Sequence, residues 1–176
     1  MQKENITVRF EEAVLPHLDA AYNLARWLTR DPADAEDVVQ EAYLRAFKFF
    51  DGFHGGDSRA WVLKIVRNTC YSWLQKNRGY AITTEFDEEQ HSGEGGDAEA
   101  ALIGKIDSQI LKSLLEELPP EFREVFILRE LEGLSYKEIA GIADLPLGTV
   151  MSRLARARQR LQSGLVAYSS SRGDSK

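Results

Sequence analysis

The chain has 176 residues, 43% of them hydrophobic and 28% charged, with a net charge of −6. That is long enough for one medium domain or two small ones, and apolar enough to exclude wholesale disorder. Cys70 is the sole cysteine, which excludes an internal disulfide and a cysteine-based zinc site. No apolar run is long enough to span a bilayer, so no membrane insertion is expected. Met1-Gln2-Lys3-Glu4-Asn5 lacks the basic-then-apolar pattern of a secretory signal, and a cytoplasmic protein is expected.

In chain order, the first helix is expected over Glu11 to Leu28. Asp31-Pro32-Ala33-Asp34 then supplies an N-cap, a proline at the first helical position and an acid in the positive first turn. The helix it starts should run from Pro32 towards Phe49. Gly52 and Gly55-Gly56 break the chain into a loop, and Asp57 or Ser58 can cap a helix over Ala60 to Lys76. Glu85, Asp87, Glu88, Glu89, Glu94, Asp97 and Glu99 follow without a Lys or Arg, among glycines and with no apolar period. A flexible acidic tether is the expected form of that stretch.

Beyond it, a helix near Ile106 to Leu118 should stop at Pro119-Pro120, and another over Glu121 to Leu131 should end at Gly133. Ser135-Tyr136-Lys137-Glu138 has the spacing of a capping box. It opens a short helix to Ala143, followed by a turn over Asp144 to Gly148 and a longer helix from Thr149 to Tyr168. The tail from Ser169 is polar and expected to fray. The fold class is therefore all-α: two small helical domains, 8–80 and 105–168, joined by a flexible acidic linker at 81–104.

Three constellations carry chemistry. Leu134 to Arg160 has the organisation of a helix-turn-helix, with Ile139, Ala143, Leu145, Val150 and Leu154 as its apolar seam. Thr149, Ser152, Arg153, Arg156 and Arg160 recur at spacings of three and four and fall on one face. Their hydroxyl and guanidinium donors suit phosphates and base edges in a major groove. The competing reading is a helical hairpin with a solvated arginine face. On the helix from Pro32, Asp37, Gln40 and Glu41 share one face while Ala35, Val38, Val39 and Ala42 turn inward. That acidic, amide-bearing face can dock on a basic partner, although its acids also favour a helix N-terminus or a hard cation. On the helix from Ala60, Lys64, Arg67, Asn68, Tyr71 and Gln75 lie opposite an apolar stripe. Basic, amide and aromatic groups together can hold a DNA strand and read a base. Phe47, Phe49, Trp61 and Trp73 are read as core.

The two most patterned segments resemble one family. Leu134-Ser135-Tyr136-Lys137-Glu138-Ile139-Ala140, followed by Leu145 to Arg158, is similar to the C-terminal domain of extracytoplasmic-function (ECF) sigma factors. Asp144 stands where such sequences usually place glycine. Asp31 to Phe47 resembles that family's core-polymerase-binding helix. The resemblance implies a transcription initiation factor and not an enzyme, with no catalytic residue, metal or cofactor. The implied partners are core RNA polymerase, through its β′ coiled coil and β flap, promoter DNA and an anti-sigma factor. Asp37, Gln40 and Glu41 would bind polymerase. Phe53, His54, Lys64, Arg67, Asn68 and Tyr71 would read the −10 element, the loop taking an unstacked base. Thr149, Ser152, Arg153, Arg156 and Arg160 would read the −35 element.

The rival reading from the residues is a helix-turn-helix regulator that works without polymerase. A catalytic helical protein with a metal at Asp34, Asp37 and Glu41 is the third. His17, His54 and His91 stand apart, and no hydrolytic triad or phosphate loop is spelled out.

Overall fold

The computed structural model describes residues 2–78 and 108–173, and every regular element among them is helical. The expected acidic linker, 81–104, lies outside the described residues. The described residues gather into two compact units: residues 2–78 with Lys137–Leu145, and residues 108–136 with 146–173.

The first unit opens with α1 (Gln2–Val14), a 3-10 turn (Leu15–His17) and α2 (Leu18–Thr29). The single helix expected over Glu11 to Leu28 is thus two, because Pro16 sits in the turn, where it lacks an N–H and crowds the preceding turn. α3 (Pro32–Lys48) starts as anticipated. Asp31 is extended, and its carboxylate accepts hydrogen bonds from the N–H groups of Ala33 and Asp34 at 2.9 and 3.0 Å. A second 3-10 turn (Phe50–Gly52) leads to α4 (Ser58–Arg78). Of the two candidate caps, Asp57 takes the role, its carboxylate accepting from Ala60 N–H at 3.1 Å.

α2, α3 and α4 pack against one another, and α1 lies along α4. Leu24, Leu28, Val38, Val62, Leu63 and Val66 are buried at their junction. The Tyr43 hydroxyl ties α3 to α1 by donating to the carbonyl of Val14 at 3.3 Å. Burial, reinforced by the negative charge of Asp19, pushes the Tyr43 hydroxyl up to about 12.

In the second unit α5 (Ser108–Glu117) and α6 (Pro120–Phe126) pack on the long α8 (Leu147–Gly173). Arg123 is buried, and its guanidinium donates to the carbonyls of Leu115 and Leu118 at 3.0 and 2.7 Å. It thereby satisfies the C-terminal end of α5, whose carbonyls have no helical partner. α6 runs into one π-helical turn (Ile127–Leu131), closed by Glu132 N–H on Ile127 O at 3.1 Å. Gly133 at φ 67° then lets Leu134 N–H reach back to Leu128 O at 3.1 Å, the glycine stop expected there. Gly164 meets α5 closely, since a Cβ there would fall 2.5 Å from Leu114 Cδ2.

α7 (Tyr136–Ala143) buries Ile139, Ile142 and Ala143. Asp144 ends it at φ 55°, a left-handed conformation that glycine reaches at lower cost. α8 starts at Leu147, two residues before expectation, because the Pro146 carbonyl accepts from Thr149 and Val150 N–H at 3.0 and 3.2 Å. It also continues through the tail expected to fray, as far as Gly173.

Candidate polymerase and nucleic-acid interfaces

α3 presents Asp37, Gln40 and Glu41 to solvent while Ala35, Val38, Val39, Ala42 and Ala46 are buried. One turn on, the Arg45 guanidinium holds the Glu41 carboxylate at 2.8 Å, both side chains being about half exposed. Beside this face runs a groove of about 540 Å³, lined by Leu18, Asp19, Tyr22 and Asn23 of α2 and by Glu36, Val39 and Gln40 of α3. No Lys or Arg lines it, so its charge is acidic. Among the described residues, no three His, Cys, Asp or Glu side chains come together as a metal-ligand set.

α4 exposes Lys64 and Asn68, and Arg67 Nη1 donates to Asn68 Oδ1 at 3.3 Å. Tyr71 departs from expectation. It is only 2% exposed, because its ring lies beneath the Arg67 guanidinium, 4.0 Å from the ring centroid. The helical period alone puts Tyr71 on the solvent face, but it cannot register that one side chain folds under another. Phe53 is half-buried, stacked on Phe50 at 5.9 Å and tilted against Trp61 at 5.0 Å, while His54 is exposed. Two aromatics read as core are not: Phe47 is 46% and Phe49 60% exposed. Phe47 packs edge-on against Phe10, and Lys48 lies over Phe49 at 5.6 Å.

On α8, Thr149, Ser152 and Arg156 are partly exposed and Arg160 exposed, but Arg153 is 5% exposed and falls on the buried side with Val150, Leu154 and Ala157. An arc containing positions 149, 152, 153, 156 and 160 is wider than the solvent face, and Arg153 stands at its inner edge. Arg160 covers the Phe122 ring at 4.9 Å, and Ser152 Oγ donates to Thr149 O at 3.1 Å. The neighbouring Arg158 is structural. Burial works against its charge, but the 2.6 Å hydrogen bond to Glu130 outweighs that and holds the guanidinium above its ordinary range.

Comparison with known proteins gives two family matches. Residues 13–80 match sigma-70 region 2, and residues 108–161 match sigma-70 region 4. The chain is 36% identical over 137 residues to the ECF RNA polymerase sigma-E factor of Escherichia coli, covering 73% of this chain and 72% of that one. The chain belongs to the ECF RNA polymerase sigma factor family. Another member, the SigE factor of Mycolicibacterium smegmatis, is 34% identical over 164 residues, and the chain spans 63% of its length. Among solved structures, the sigma factor RpoE of Bartonella quintana, in complex with the anti-sigma factor NepR, has a TM-score of 0.66 at 31% identity, over 89% of this chain and 96% of that one. CnrH, bound to the cytosolic domain of CnrY, has a TM-score of 0.63 at 26% identity, over 90% of this chain and 88% of that one.

The region 2 match takes in α3, the 50–57 loop and α4, and the region 4 match takes in α5 to α7 and most of α8. Sequence reasoning gave no role to α1, to the α2 side of the groove, or to Arg45. The only signal for Arg45 was its spacing of four from Glu41. No helix among the described residues is long and apolar enough to cross a membrane.

Proposed function

We propose that this ECF family member directs core RNA polymerase to specific promoters, acting in the cytoplasm as an initiation factor and not as an enzyme. The observation that carries the reading is the pair of matches, region 2 followed by region 4, in one chain of this length. Residues 8–80 act as the region 2 domain and 105–168 as the region 4 domain, with 81–104 as the connection. Asp37, Gln40 and Glu41, with the acidic groove beside them, dock on a basic coiled coil of β′; the absence of cationic side chains from the groove supports this. Lys64, Arg67 and Asn68, with the Phe53–His54 loop, engage the −10 strand. Tyr71 serves as the support beneath Arg67. Thr149, Ser152, Arg156 and Arg160 face the −35 groove, with Arg153 left to the inner side.

An anti-sigma factor holds the chain before induction. The support is that the two solved relatives described above were captured with proteins bound, NepR and the cytosolic domain of CnrY. The net charge of −6 favours this assembly-dependent reading over a regulator that works alone, since phosphate contacts need cationic surface. Run-off transcription with core polymerase tests it. Wild type should initiate at a specific start site. Gln40→Ala should weaken association with the core, and Arg156→Ala should weaken promoter use by about 1–3 kcal/mol if its contact is bidentate. A wild-type chain that never joins the core and changes no start site would refute it, and tight operator binding without polymerase would favour the stand-alone regulator.

A further inference from the structure

Two large apolar side chains at the start of α8 have no role in the reading above. Leu147 is 49% and Met151 37% exposed. One exposed apolar residue needs no special cause. These two differ by their placement. They stand four residues apart, one turn of helix, and so adjoin each other. Val150, Leu154, Ala157 and Leu161 hold the buried side of α8. Opposite them, the solvent-side arc runs from Met151 through Ser152 to Arg156 and Arg160. One margin of that arc is therefore apolar and the other cationic. Between the margins sits Gly148, which has nothing within 4 Å of where a Cβ would stand. The helix start is thus open to close approach by a partner along this arc.

The two margins suit different features of a duplex. Guanidinium groups bind phosphates and guanine edges. An apolar side chain has no use toward either. The apolar feature that a major groove offers is the C5 methyl of thymine. In a helix-turn-helix, the N-terminal residues of the second helix are the ones that reach base edges. Leu147 opens α8 and Met151 follows one turn later. Methionine is unbranched and turns about three bonds, so it can settle on a methyl group without a preformed pocket. Resting on the promoter-reading function above, we infer that Met151, with Leu147 beside it, reads the C5 methyl of a thymine in the −35 element. The polar margin holds the helix in the groove, and the apolar margin selects a base by its methyl group. Met151 is then a specificity-determining residue that the hydrogen-bonding set on α8 does not include.

The test uses holoenzyme assembled from host core polymerase and the full chain. Selection from templates randomised across the −35 region gives the preferred sequence. Each thymine of that element, on either strand, is then replaced singly by deoxyuridine, which keeps the pairing edge and lacks only the methyl. At one position or two adjoining ones, deoxyuridine should weaken promoter binding about fourfold, the worth of one buried methyl. Met151→Ala should bind the thymine and deoxyuridine templates alike, and Met151→Leu should keep the difference. Because Met151 is exposed, both variants should melt with the wild type, which separates a lost contact from a lost fold. Deoxyuridine tolerated by the wild type at every position would overturn the inference alone. So would a methyl effect that survives undiminished in Met151→Ala and in the Leu147→Ala, Met151→Ala double variant. A Met151→Ala chain that keeps the methyl effect but no longer joins the core would overturn it too, assigning the apolar pair to a polymerase contact. A wild-type holoenzyme with no −35 preference would instead remove the function reading beneath it.

Discussion

Arg123 is a buried cation whose identified acceptors are two backbone oxygens at the end of α5. A shorter or apolar side chain leaves those carbonyls dry and unmatched. Arg123→Met should therefore destabilise the protein by about 2–4 kcal/mol, more than a surface arginine would, as read by urea denaturation. Tyr43 makes a different prediction. Its hydroxyl titrates higher in the folded chain, about 12, than the ordinary 10, so folding favours the protonated form. The stabilisation is complete below pH 10 and is lost as pH climbs from 10 towards 12. Thermal melts should fall across that window, and Tyr43→Phe should flatten the fall while losing the hydrogen bond to Val14 O.

The cap of α3 sets the presentation of the proposed docking face. Removing the Asp31 carboxylate, which accepts from two N–H groups, should cost about 1 kcal/mol. Asp31→Ala should thus lower the melting temperature and fray the first turn, leaving Asp37, Gln40 and Glu41 on an intact helix. Hydrogen exchange should show faster amides at Ala33 and Asp34 alone. Helix starts and stops of this kind were legible in the sequence, since Asp31, Asp57 and Gly133 act through local backbone geometry. The split between α1 and α2 was missed although Pro16 signalled it, because the apolar pattern ran on across the break. The burial of Tyr71 and Arg153 could not be read from periodicity. It depends on the Arg67 guanidinium lying over one ring and on how wide an arc of α8 packing consumes. The outward faces of Phe47 and Phe49 were hidden for the same reason: composition says an aromatic is apolar, not which neighbours cover it.

At the scale of the molecule, a net charge of −6 must coexist with the arginines proposed to face DNA. The free chain should bind duplex promoter DNA weakly, while the holoenzyme binds tightly, because joined sites act at high effective concentration. Affinity of the holoenzyme should fall steeply with salt, and Arg156→Ala should reduce that logarithmic slope by about 1 if the residue contacts a phosphate. An unchanged slope would assign Arg156 to a base edge or to no contact.

The Glu41–Arg45 pair reaches beyond stability. An exposed couple of this type is worth at most about 1 kcal/mol, so an incoming cation displaces Arg45 at small expense and with small reward. Under the proposed docking, attachment at Glu41 is a swap of one positive neighbour for another. In the proposed docking, such a trade would dampen the strength of the grip.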